Sequence, residues 1–263
     1  MKLSIIIVEY HCMDEVDDCV KSIDKYMQDV EKECLIISNS EYSDDEVGVF
    51  QKQLPSTKII NTQGNEGYST GVNTGIEYAS GEYVYVINPD GLVTDSNVTK
   101  MMEEMDKEPD WVLSGPQVVD ENFVVQPSCR RFPRLWTFLL VRSGLSVLPG
   151  ADKERARYLM EDFDRKTRKD VDWITGGAML VKASALRTVG GMDERFFMYM
   201  EDVDWCHMCW DKGYKVKYEP CSVVIHPSKH RSIKGSIIDK MMSHHVRMHF
   251  ISLMRYFMKW GIK

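Results

Sequence analysis

Apolar and polar positions along the first hundred residues alternate between two kinds of segment. Short, nearly continuous apolar runs fall at residues 3–8, 34–38, 58–61 and 83–88, the pattern of strands covered on both faces. Between them, residues 14–27, 44–53 and 68–79 repeat apolar positions at helical spacing, and a further helix is expected over 96–107. Short apolar strands alternating with helices predict βαβ units: an α/β fold with a mainly parallel central sheet flanked by helices. In such sheets ligands bind at the carboxyl ends of the strands.

The pattern weakens over residues 128–170. Arg130, Arg131, Arg134 and Trp136 are followed by the charged stretch "DKERARYLMEDFDRKTRKD", which predicts a helical excursion over the site. Order returns with "VDWITGGAMLVKASALRTVGG", strand-like on both sides of Gly176-Gly177. "MYMEDVDWCHMCWDKGYKVKYEP" then predicts a helix from about Glu201 to Lys212, stopped by Gly213, with a strand after it. Near the C-terminus, Val246, Phe250, Leu253, Phe257 and Trp260 form one apolar helical face, with Arg247, Arg255, Lys259 and Lys263 as a basic stripe beside it. Such a helix suits the interface of an anionic membrane leaflet. The alternative is a helix packed on the domain or on a second copy in a homodimer.

Composition adds limits. With 43% apolar and 28% charged residues the chain is of ordinary globular type, and no apolar run is long enough to span a bilayer. The apolar part of "MKLSIIIVEYH" is too short for a signal peptide and reads as the first strand of the mature protein. Seven cysteines without framework spacing predict reduced thiols and a cytoplasmic location. The net charge of −7 is uneven: residues 229–263 carry eight Lys/Arg against Asp239 alone, a net +7, so the remainder carries −14. So acidic a body argues against nucleic acid as a partner. The basic tail fits an anionic surface, which predicts a peripheral position at the inner face of the plasma membrane.

Five short stretches could carry chemistry. "YVYVINPDG" ends a strand at Asn88-Pro89-Asp90-Gly91, because proline cannot donate to a sheet ladder. Turn formation alone accounts for these residues, yet it leaves Asp90 at the ligand-binding edge. In "NEGYSTGVNTG", Gly67, Gly71 and Gly75 are four apart and share one helical face, which suits close packing on the sheet. Asn65 and Asn73 add amides that could meet a polar ligand, and the spacing excludes dinucleotide and P-loop motifs. "EDVD" places Glu201, Asp202 and Asp204 at a helix start, where the helix dipole favours acids and apolar surroundings would suit a general base. "CHMC" (Cys206–Cys209) has no second pair to complete a zinc site and reads as core filling. His226 ends a strand-like run in "VVIHPSKHRS" and could join Asp90 on a divalent metal if the strands converge.

Taken in order, "SIIIVEYH", "LIISNSEYSDD", "NEGYSTGVNTG", "YVYVINPDG", "WITGGAMLVKASALRTVGGMDERFFMYMEDVDWC" and "GYKVKYEPCSVVIH" resemble glycosyltransferase family 2, in particular its bacterial rhamnosyltransferase-like branch. The resemblance implies a GT-A fold over residues 1–232, with a nucleotide-sugar half to about 115 and an acceptor half after it. The C-terminal segment 233–263 stands apart. It implies inverting transfer of a sugar from a nucleotide-sugar to a saccharide or lipid-linked saccharide in surface polysaccharide synthesis, with Mg²⁺ or Mn²⁺. By the same resemblance Asn88 and Asp90 occupy the D-x-D-like position, Asp90 and His226 hold the metal, and Asp202, beside Glu201, is the base. Asn65, Gly67 and Asn73 match the donor-binding segment. Two positions depart from the family pattern: Ser38-Asn39 stands where Asp-Asn is usual, and Glu9 stands where Asn is common. Both bear on base recognition, while the branch resemblance implies dTDP-L-rhamnose as the first donor and a UDP-hexose as the second. The competing expectation is a non-catalytic scaffold protein of the same fold and pathway. A nucleotidyltransferase would want a Gly-rich, basic loop after the first strand, where "EYHCMDE" is acidic.

Overall fold

The computed structural model describes residues 2–137, 149–227 and 244–262. Strands β1 (Leu3–Glu9) and β4 (Tyr83–Ile87) are buried along their whole lengths, which is why their sequences are apolar throughout. Their side chains still divide by parity. Leu3, Ile5, Ile7, Tyr83 and Tyr85 meet helices α1 (Met13–Tyr26) and α4 (Val98–Asp106) on one face. Ile6, Val8, Val84 and Val86 join the core of the other face, which includes Val72 of α3 (Tyr68–Tyr78) and Val203 and Trp205 of α7 (Glu201–Asp211).

The main sheet runs β3 (Lys58–Asn61), β2 (Lys32–Ser38), β1, β4, β10 (Ala178–Lys182), β6 (Trp111–Val119), β11 (Lys215–Ile225) and β5 (Leu92–Val93), with β8 (Lys169–Asp170) also on β11. It is parallel except for β10, which opposes both its neighbours, and the short β5 and β8. The chain builds outward from β1 through β2 to β3 and then returns to place β4 on β1's other side. This reversal opens a crevice at the carboxyl ends of β1 and β4, where the loops after Glu9, Ser38 and Ile87 meet. Helices α2 (Asp44–Gln53), α5 (Ala151–Leu159) and α6 (Ala183–Val189) complete the set up to α7.

The stretch 128–170 is less helical than its sequence suggests. It begins with β7 (Cys129–Arg130), which pairs with β9 (Trp173–Ile174) in a separate two-stranded ribbon, contains α5, and ends in β8; residues 138–148 lie outside the described residues. Pairing across more than forty positions decides this ribbon, and no local periodicity announces it.

The C-terminal helix α8 (His244–Trp260) lies on the domain. Leu253, Tyr256 and Phe257 are buried, His207 of α7 is stacked on Trp260 with ring centroids 3.9 Å apart, and Ser252 Oγ donates to Met198 O. Of the expected apolar face, Leu253, Phe257 and Trp260 turn inward while Val246 and Phe250 stay exposed. The basic stripe divides too. Lys259 reaches Asp193 and Asp204 at 2.8 Å each, whereas Arg247 is exposed. Lys263 and the segment 228–243 lie outside the described residues. Among the described residues no helix is long and apolar enough to cross a membrane.

Candidate active site

Asp90 and His226 do converge. Asp90 follows β4 in the turn closed by Gly91 N–H to Asn88 O (2.9 Å), and His226 follows β11, its backbone N–H tied to Val119 O (2.8 Å). Their side chains meet with Asp90 Oδ1 3.2 Å from His226 Nε2. Asn88 Nδ2 lies 3.2 Å from the same nitrogen, and Tyr68 Oη donates to Asn88 Oδ1 (3.1 Å) and Gly176 O (3.2 Å). Gly177 makes room for the imidazole, since a Cβ there would sit 3.2 Å from His226 Cδ2. Enclosure of the Tyr68 hydroxyl, with the charges of Glu201, Asp202 and Asp90 nearby, pushes its pKa far up, so it remains a proton donor in these bonds. A carboxylate oxygen beside an imidazole nitrogen suits Mg²⁺ or Mn²⁺ when phosphate oxygens supply the other ligands. Among the described residues no group of three or more His, Cys, Asp or Glu could hold an ion. The pair therefore fits a metal that is shared with a diphosphate.

The acidic cluster sorts itself by helix geometry. Tyr199 and Met200 precede α7 with φ of 68° and 69°, a left-handed pair of bulky residues whose strain the surrounding packing must hold. Asp202 Oδ2 accepts from Gly176 N (2.9 Å) and Oδ1 from Val203 N (2.8 Å), which fixes the carboxylate's direction. Enclosure raises its pKa against the lowering effect of those two bonds and of Arg130's charge. Glu201 is only 8% exposed, its Oε2 makes no hydrogen bond among the described residues, and burial beside Asp202 raises its pKa well above the usual carboxylate range. Glu201 and Asp202 both line a cavity of about 500 Å³ whose walls include Arg130, Trp173, Tyr199 and, from α8, His249 and Leu253. Asp204 points the other way. It is fully buried, held by Lys259 Nζ (2.8 Å) and Trp260 Nε1 (2.6 Å).

At the carboxyl ends of β1 and β2, Glu9 and Ser38 are direct partners in the strand register. Ser38 Oγ donates to Glu9 Oε1, Ser40 Oγ to Oε2 (3.1 Å), and Cys12 N to Oε2 (3.4 Å). The two departures from the family pattern are thus one unit: a carboxylate carried on β1 and a hydroxyl on β2. Asn39 joins this edge to α3, donating from Nδ2 to Gly67 O (2.9 Å) and accepting from Thr62 Oγ1 (3.1 Å). Asn65 Oδ1 accepts from Gly67 N (3.1 Å) and shapes the turn into α3. Gly67, at φ +92°, lies where a Cβ would be 2.7 Å from Phe197 O. Asn73 turns to the protein: Nδ2 donates to Met192 O (2.8 Å) and Glu194 Oε1 (2.9 Å), and Oδ1 accepts from Met192 N (2.8 Å). Cys206 and Cys209 are buried in the core, as expected.

Residues 4–190 match the family described as Glycosyl transferase family 2. The chain belongs to this family. It is 32% identical over 194 residues to the N-acetylglucosaminyl-diphospho-decaprenol L-rhamnosyltransferase of Mycobacterium tuberculosis, covering 68% of this chain and 61% of that protein. It is 27% identical over 178 residues to the rhamnosyltransferase WbbL of Escherichia coli K12, covering 67% and 63%. The chain thus spans somewhat under two thirds of each relative's length. The crystal structure of GalNAc-T7 with UDP, GalNAc and Mn²⁺ superposes with a TM-score of 0.66 at 15% identity, over 89% of this chain and 44% of that one. The fold is GT-A.

Two residues of this cleft have no counterpart among the sequence expectations for the site. Tyr68 lies inside the glycine-rich segment, and its neighbours Gly67 and Gly71 drew the attention. Arg130 lies in the poorly patterned stretch, where only a cluster of arginines hinted at a role.

Proposed function

We propose that this family 2 enzyme transfers a sugar with inversion from a nucleotide-sugar to a hydroxyl of a saccharide or lipid-linked saccharide acceptor. L-rhamnose from dTDP-L-rhamnose is the first choice and a UDP-hexose the second. The observation that carries this is Asp202, aimed by two backbone N–H groups at a cavity wall. The Asp90–His226 pair stands at another part of the same cleft, linked through Tyr68 and Gly176.

The donor diphosphate binds where Asp90 and His226 meet. A Mg²⁺ or Mn²⁺ ion held there would offset the negative charge that grows on the leaving diphosphate. Asp202 takes the proton from the acceptor hydroxyl. The acceptor oxygen forms its bond to the anomeric carbon as the bond to the diphosphate breaks on the opposite face. Enclosure makes Asp202 a stronger base than an exposed aspartate. Glu201, buried and protonated, can donate to the acceptor sugar without competing for its proton. Glu9, fully buried and held by Ser38, Ser40 and the Cys12 N–H, shapes from beneath the edge on which the nucleotide base would lie. The name of the M. tuberculosis relative supports a diphosphate-linked lipid acceptor. The exposed apolar residues of α8, together with the basic C-terminal region, support contact with a membrane surface on the cytoplasmic side.

The test is a panel of dTDP- and UDP-sugars with Mn²⁺, read by thermal shift and by released nucleoside diphosphate. Stabilisation and turnover by at least one donor are expected. Neither with any donor would favour the scaffold reading.

A further inference from the structure

Arg130 differs from several of the arginines around it, although Arg165 too is held by backbone carbonyls and not by a carboxylate. Arg131 pairs with Asp172, Arg157 with Glu154, Arg168 with Glu104 and Glu219, and Arg195 with Asp193. Among the described residues no carboxylate pairs with Arg130. Its guanidinium is nevertheless held in place. Nε donates to Pro127 O (3.0 Å), and the group lies 5.1 Å from the Trp173 ring centroid and 5.5 Å from that of Tyr158. Two aromatic faces and a carbonyl orient the planar fork, while Nη1 has only the marginal contact to Tyr158 Oη at 3.5 Å.

Its place in the cleft is equally specific. Arg130 lines the cavity that holds Glu201 and Asp202 and also the neighbouring one, of about 250 Å³, that holds Asn88 and His226. The cleft otherwise presents the carboxylates of Asp90 and Asp202, which repel an anionic substrate. Part of the same cavity's lining belongs to α8. His249 and Leu253 face the cavity, and the same helix exposes Phe250, Ile251 and Met254. A ligand at Asp202 would share its cavity with the Arg130 guanidinium and with His249 and Leu253 of α8.

We infer that Arg130 binds a phosphate group of the acceptor, an amphiphile whose sugar hydroxyl lies at Asp202 and whose apolar portion runs along α8. This rests on the acceptor reading proposed above. It adds the residue that recognises the linker between sugar and apolar chain. An arginine fork suits that task because it can engage two phosphate oxygens at once.

The experiment is calorimetric titration of the full chain without divalent metal, so that Asp90 and His226 cannot hold phosphates through an ion. The probes are octyl diphosphate, the uncharged octyl glucoside, and dTDP with Mn²⁺ added in a separate arm. The variants are Arg130→Gln and Arg130→Lys, with melting temperatures checked first. The wild type should bind octyl diphosphate more tightly than octyl glucoside. Arg130→Gln should weaken the diphosphate probe about tenfold or more, and Arg130→Lys should weaken it less. Binding of dTDP with Mn²⁺ should change little in either variant. Three results would overturn the inference: equal affinity of the wild type for the two octyl probes, unchanged octyl diphosphate affinity in Arg130→Gln, or an equal loss of dTDP, which would assign the residue to the donor. Because the readout is binding, a chain that shows no transfer activity would sink the enzymatic reading and still leave this result legible.

Discussion

Glu201 and Asp202 are neighbours with different protonation. Burial acts on both, but two backbone N–H bonds and the charge of Arg130 favour the ionised form of Asp202, while Glu201 Oε2 has no such partner. These surroundings therefore favour the proton on Glu201 over Asp202. Glu201→Gln should keep transfer within about tenfold of the wild-type rate, because the amide resembles the neutral acid. Ionising the buried acid costs stability as pH rises through its raised pKa, so this variant should melt no lower than the wild type in alkaline buffer. The rate itself should fall as pH drops through the raised pKa of Asp202, an acid limb above the usual aspartate range. Glu9→Gln should lower the melting temperature and weaken nucleotide binding, since an amide NH₂ would face donors that now bond a fully buried carboxyl. Competition titrations with dTDP and UDP would show this. The difference between Asp202 and Asp204 was partly legible from the sequence. Two positions on a helix lie roughly 200° apart, so one must face the site if the other faces the core. Which was which depended on Gly176 and on Lys259, far away in sequence.

Helix α3 shows what its glycines are for. A Cβ at Gly71 would lie 2.6 Å from Val8 Cγ1, and one at Gly75 would lie 2.5 Å from Ile6 Cγ2. The shared glycine face was readable from the four-residue spacing, and its meaning is close packing on β1. Gly75→Ala should cost about 1–3 kcal/mol through overpacking. Gly48→Ala, in α2 with nothing within 4 Å of the added methyl, should gain up to about 1 kcal/mol. Denaturant melts of the two variants compare them directly. The strands and helices of the first hundred residues were legible because each is long and strongly periodic. The reversed direction of β10 and the β7–β9 ribbon were not, since only long-range pairing sets them.

Over the whole molecule, α8 ties α7 to the C-terminal region. Asp204 is buried between Lys259 and Trp260, and Lys259→Ala should destabilise the fold by about 2–3 kcal/mol, less than stripping a buried charge completely because Trp260 still donates. The sequence pattern revealed an amphipathic basic helix but not which part of its apolar surface packs, because two stripes share it. The outward stripe, including Phe250, Met254 and Met258, is the surface proposed to meet a membrane. Paired Phe250→Glu and Met258→Glu substitutions should abolish flotation with anionic liposomes without lowering the melting temperature. Failure of the wild type to float would leave α8 with its packing role alone.

The central claim is that Asp202 is the base of an inverting sugar transfer. The most direct measurement compares wild type and Asp202→Asn with the donor that turns over, reading nucleoside diphosphate release in the presence of acceptor and donor affinity in parallel. The account predicts loss of transfer by about a thousandfold or more with donor affinity nearly unchanged, since the amide keeps the two backbone hydrogen-bonding positions but cannot take the proton. Near-normal transfer by Asp202→Asn would contradict it.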